Sequence, residues 1–95
     1  MLHILTKALN SDAAQQMQQA IGEEDVVVLT EEGVQAALKT HWEGWQAYQS
    51  RIFLLAEDVA AWGLNAAVTA NGLPMVDMNG FVTLTEHHPQ IVTWY

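Results

Sequence analysis

Acidic residues follow three apolar runs in this chain. Glu31 and Glu32 come after Val26–Leu29, Glu57 and Asp58 after Ile52–Leu55, and Asp77 after Met75-Val76. In an open parallel sheet, ligands bind beyond the carboxyl ends of the strands. Carboxylates gathered there would suit Mg²⁺, which prefers oxygen ligands. One reading is therefore a stand-alone, carboxylate-based metal-dependent enzyme. The competing reading places each acid in the first turn of a helix, where the positive dipole end favours negative charge. The second is preferred, because the stretch after the first apolar run, Thr6–Ser11, supplies no acid and no lysine is placed to hold a phosphate.

The remaining reactive side chains add little. The histidines are His3, His41, His87 and His88. His87 and His88 are adjacent and point to different sides of a helix, so they cannot chelate one ion together. His88, beside Pro89, reads as a cation near a helix C-terminus. Ser11 and Ser50 sit in no glycine-flanked elbow of the kind a nucleophilic serine occupies. The turn Lys7-Ala8-Leu9-Asn10-Ser11 has no glycine to bring backbone amides against a pyrophosphate. There is no cysteine, hence no thiolate nucleophile, disulfide or thiolate metal site. A net charge of −8 leaves only Lys7, Lys39 and Arg51 to meet phosphates, too few for a nucleic-acid surface. The expectation is a chain with no catalytic residue, no cofactor and no bound metal.

The elements that must position these residues form one domain, residues 1–95, with no linker or repeat. Leu2–Leu5 reads as a first strand, and Asn10-Ser11-Asp12 as the cap of a helix carrying Ala13, Ala14, Met17, Ala20 and Ile21 on one side, ended by Gly22. Val26-Val27-Val28-Leu29 and Ile52–Leu55 are continuously apolar, the pattern of strands buried on both faces. Glu31-Glu32-Gly33 opens a helix with Val34, Ala37 and Leu38 as its stripe. Glu57-Asp58 opens another with Val59 and Trp62, stopped at Gly63. Met75-Val76-Asp77 is a short fourth strand, and Asn79-Gly80 a turn before a helical face of Phe81, Leu84 and His88. A fifth strand falls at Ala66–Ala70 or at Ile91–Tyr95. Strand and helix in alternation imply right-handed crossovers. The expected class is α/β, a mainly parallel four- or five-stranded sheet between helices, flavodoxin-like in broad terms. No apolar run reaches a membrane span and no signal pattern opens the chain, so a cytoplasmic location is expected.

Two features point to a partner. Ala, Val, Ile, Leu, Met, Phe, Trp and Gly make up 52 of the 95 residues, above the usual share of about 45–50%, although a small domain has little interior to hide them. Trp42, Trp45 and Tyr48 recur at spacing three in an irregular connection, and Trp94 and Tyr95 lie together. The rings of that connection either cover the edge of the chain's own sheet or form a contact patch; since Trp and Tyr dominate interface hot spots, these five are the candidates for subunit contact.

Several segments in order carry a more specific signal: Met1-Leu2-His3-Ile4-Leu5, Leu29-Thr30-Glu31-Glu32-Gly33-Val34, Leu55-Ala56-Glu57-Asp58-Val59-Ala60-Ala61-Trp62-Gly63-Leu64, and Val76-Asp77-Met78-Asn79-Gly80-Phe81 before His88-Pro89 and Trp94. Their order and spacing resemble the TusB/DsrH family of sulfur-relay subunits over essentially the whole chain. The positions that carry the likeness are Glu31, Gly33, Glu57, Asp58, Gly63, Asp77 and Phe81. The resemblance implies a DsrE/DsrF-like fold and a hetero-oligomer with TusC-like and TusD-like chains. It further implies a cytoplasmic role in 2-thiolation of the tRNA wobble uridine, with the persulfide cysteine on a partner. Some DsrH-type members, tied to sulfur oxidation, carry a cysteine in the first helix. Met17 matches that position here, which favours the thiolation branch.

Overall fold

The computed structural model describes all 95 residues. The continuously apolar runs form β1 (Leu2–Leu5), β2 (Val26–Leu29) and β3 (Ile52–Leu55), flanked by β4 (Met75–Val76) and β5 (Ile91–Trp94). All five strands are parallel, in the order β4-β3-β2-β1-β5. Parallel neighbours cannot be joined by tight hairpins, so each step needs a crossover. These are α1 (Asp12–Ala20), a 3₁₀ helix (Glu31–Leu38) with α2 (Gly44–Ala47), α3 (Ala56–Ala61) with α4 (Asn65–Asn71), and α5 (Met78–His87). The chain moves outward from β1 to β4, and α5 then returns it to the free side of β1. The reversal at β1 and β5 is a topological switch point, where the carboxyl edge of such a sheet opens a crevice.

Side chains alternate across the sheet, and its two faces are unequally covered. Leu5, Val27, Leu29, Ile52 and Leu54 pack with Ala13, Ala14 and Met17 of α1, Val34, Ala36 and Ala37 of the 3₁₀ helix, Val59 and Val68 in the main core. The opposite face presents Leu2, Val28 and Leu55, covered by Phe81 and Leu84 of α5. No residue of α5 is fully buried. At the start of α1 the Ser11 hydroxyl accepts the Ala14 N–H at 3.1 Å, the N-cap that the sequence indicates.

One choice left open by the sequence is decided, and three details depart from its expectations. The fifth strand is Ile91–Trp94, and Ala66–Ala70 lies within α4. Alanine favours helix, and only Val68 turns fully inward there. Asn79-Gly80 is not a turn but the first turn of α5, because Asp77 caps that helix by accepting the Gly80 N–H at 2.8 Å. The segment after β2 is a 3₁₀ helix, with three residues per turn. Val34 and Ala37 therefore share its buried face, while Leu38 falls off it and is 61% exposed. Finally, Trp62 ends α3 rather than lining it and is 45% exposed, leaving Val59 as that helix's buried residue.

Candidate functional site

The acidic residues of the carboxyl edge hold the protein's own backbone. Asp58 Oδ2 accepts the Glu31 N–H at 2.7 Å, Glu57 Oε2 accepts the Met78 N–H at 3.1 Å, and Asp77 caps α5. The first turn of α3 is thereby fastened to the start of the 3₁₀ helix and to the start of α5. Glu31 has φ +51°, a left-handed conformation that L side chains adopt at a cost, and the Asp58 bond holds it there. No group of three His, Asp or Glu side chains is gathered to hold a metal. The carboxylate-based metal enzyme therefore finds no donor set at Glu31, Glu32, Glu57, Asp58 and Asp77. Gly33 lies against the end of β1, where a Cβ would sit 2.6 Å from the Leu5 carbonyl oxygen. Gly63 turns the chain at φ +69° after α3, and Phe81 covers the second face of the sheet. Glu31, Gly33, Glu57, Asp58 and Asp77 thus serve the carboxyl edge, whereas Gly63 follows the far end of α3 and Phe81 lies on a sheet face.

The opposite edge carries a polar knot that the sequence did not reveal as a unit. His3, inside β1, is completely buried. Its Nδ1 lies 3.0 Å from Trp94 Nε1 and its Nε2 2.9 Å from Asp25 Oδ2. An indole N–H only donates, so Nδ1 is the acceptor and Nε2 carries the proton donated to Asp25. The Asp25 carboxylate also accepts the Gly22 N–H at 2.8 Å and the Met1 amino group at 3.0 Å. These donors, Gly22 first and then His3, outweigh desolvation and hold the Asp25 carboxyl well below the usual carboxylate range. Arg51 Nη1 donates to the carbonyls of Gly22 at 3.1 Å and Asp25 at 2.6 Å. One polar ring inside an apolar strand was the only sequence signal for this knot. With both ring nitrogens taken and no exposed surface, His3 is a clamp between strands rather than an acid or base for a substrate. His88 Nδ1 meets the Leu84 carbonyl oxygen at 2.8 Å, at the C-terminal end of α5 as expected.

The aromatic stripe folds onto its own chain. Trp42 meets Trp45 edge to face with ring centroids 5.5 Å apart, and lies 6.2 Å from the Tyr48 ring. Trp42, Trp45, Tyr48 and Trp94 all pack, half-buried, against the main core, while Tyr95 is 83% exposed. Trp45 Nε1 donates to the Lys39 carbonyl at 3.0 Å, which pins the turn after the 3₁₀ helix. Between that turn, the connection Ala8–Asn10 and the Trp42 ring lies a solvent-open cleft of about 630 Å³. No sequence motif marks it, since its walls come from two segments about thirty residues apart.

Residues 8–91 match the family described as DsrH like protein. Protein TusB of Pectobacterium parmentieri is 32% identical to this chain over 96 residues, spanning 99% of this chain and 100% of that protein. Glu31, Gly33, Glu57, Asp58, Gly63, Asp77 and Phe81 all fall inside the matched region. The chain belongs to the TusB/DsrH family.

Proposed function

We propose that this chain is a non-catalytic subunit of a cytoplasmic sulfur-relay complex, assembled with TusC-like and TusD-like chains and acting in 2-thiolation of the tRNA wobble uridine. The observation that carries this reading is the absence of cysteine from a member of the TusB/DsrH family. Sulfane sulfur moves by thiolate attack, so a chain without a thiol cannot take it up and the persulfide must ride on a partner. Met17, matched to the first-helix cysteine of some relatives, is a thioether with no exposed surface. Neither its chemistry nor its position suits sulfur exchange, which favours the thiolation branch over sulfur oxidation. The charge of −8 leaves contact with tRNA to other subunits.

Co-expression with two small DsrE-like chains encoded beside it, followed by size and mass measurement, tests the assembly. The expected outcome is a complex containing all three. Incubated alone with a persulfide donor, this chain should gain no sulfur, while a partner cysteine should. A stable, reductant-reversible sulfur adduct on the isolated chain would overturn the non-catalytic reading.

A further inference from the structure

The cleft beside Trp42 plays no part in the architecture described above, and its chemistry is unlike that of the rest of the surface. Leu9 and Trp42 give it apolar walls, and Leu38, the large side chain that the 3₁₀ helix fails to bury, stands at its rim. Lys39 and His41 also line it, and no acidic residue does, in a chain that has 11 acidic and 3 basic side chains. Of those three basic groups, Arg51 is committed to backbone carbonyls. The apolar and basic surface is also held in place. Trp42 is fixed by Trp45 and Tyr48 and lies over Gly44, where there is no room for a Cβ beneath its ring. Trp45 in turn anchors the Lys39 backbone. Such preorganisation lowers the entropy lost when a ligand is seated.

The openness of the cleft selects the class of occupant. Small-molecule sites usually bury 70–90% or so of their ligand, which a cleft open to solvent along its rim does not do. An extended polypeptide suits it better, with an apolar side chain between Leu9, Leu38 and Trp42 and a carboxylate against Lys39. We propose that this cleft docks an acidic–apolar segment of a partner subunit. The proposal rests on the reading of this chain as a subunit of a larger complex and names the surface through which one partner is held.

The test uses the full chain co-purified with the two co-expressed subunits. Carbodiimide treatment joins a lysine amine to a carboxylate in contact with it, and Lys7 and Lys39 are the only lysines in this chain. Mass spectrometry should find Lys39 joined to an Asp or Glu of a partner. Lys39→Arg should lose the cross-link and keep the complex. Leu38→Asp and Lys39→Glu, both at exposed positions, should leave the melting temperature of the lone chain unchanged and weaken assembly by about tenfold or more. If the wild-type complex forms but Lys39 cross-links to no partner, or both variants assemble like wild type, the docking proposal falls and the subunit reading stands. A Lys39 link to a second copy of this chain assigns the cleft to self-association and also overturns the proposal. If the wild-type chain retains neither subunit, both readings fall together.

Discussion

Replacing Trp94 by Phe keeps a ring in place and removes one atom group of consequence, the indole N–H. In the native chain that group donates to Nδ1 of His3, a side chain with no exposed surface. The variant leaves Nδ1 as a buried acceptor without a donor. The other neutral tautomer offers no escape, because it would aim the bare Nε2 lone pair at the Asp25 carboxylate 2.9 Å away. Orphaning a buried polar group costs about 1–3 kcal/mol. The smaller ring also weakens the stacked contact with His3, whose centroid lies 6.1 Å from that of Trp94. A loss of about 2 kcal/mol in a domain of this size lowers Tm by about 8–16 °C. Urea titration and thermal melting followed by circular dichroism read this directly. In a His3→Leu background the acceptor no longer exists, so the same Trp94→Phe change should cost at least about 1 kcal/mol less. A Trp94→Phe loss below about 0.5 kcal/mol, or an equal loss in both backgrounds, would show that the hydrogen bond does not hold β5.

Asp25→Asn tests the acid limb of stability. Its native carboxyl is held below the ordinary value of 3.8 by the Gly22 N–H, the His3 ring and the Met1 amino group, so the unfolded chain takes up this proton first. The resulting stabilisation is complete above that value and drains away as pH falls below it. Urea melts should show wild type ahead of Asp25→Asn by about 2 kcal/mol near neutrality, with the gap closing in acid; a gap independent of pH would contradict the assignment. Gly33→Ala drives a Cβ into the Leu5 carbonyl and should cost about 1–3 kcal/mol. Gly63→Ala meets open space but a φ of +69° and should cost about 1–2 kcal/mol, both read by chemical denaturation. Tyr95→Ala, at an 83% exposed position, should change the stability of the lone chain by no more than about 0.5 kcal/mol and weaken co-purification with the partner subunits.

The sheet was legible because burial on both faces imposes a plain pattern: Val26–Leu29 and Ile52–Leu55 read as interior strands and are. The weaker edge strand was ambiguous because Ala66–Ala70 and Ile91–Tyr95 are both short and apolar. The choice between them rests on where β1 finds its second neighbour, a tertiary fact. Asn79-Gly80 carries strong turn chemistry that the Asp77 cap overrides. The acids were rightly placed at helix starts, but their reach across the edge, Asp58 to Glu31 and Glu57 to Met78, joins residues 27 and 21 positions apart and leaves no local trace. The same limit hid the His3 knot and the cleft. The aromatic triplet declared a shared face through its spacing, and packing decided that most of this face turns inward.

The placement of β5 beside β1 bears on how the chain comes to be folded. Leu2 to Leu5 pair in register with Ile91 to Trp94, and the Thr6 N–H donates to the Trp94 carbonyl at 3.1 Å. These contacts span nearly the whole chain, so they raise the contact order and slow the search for the native state. On the ribosome, β1 to β4 can emerge and collapse while β1 still presents a bare edge, with His3 uncovered and Asp25 its sole partner. The indole that closes this edge is made only after β1 to β4. A nascent chain arrested before Ile91 therefore exposes a parallel strand edge, a surface that invites pairing with other chains, and completion of the knot marks the step at which that hazard ends.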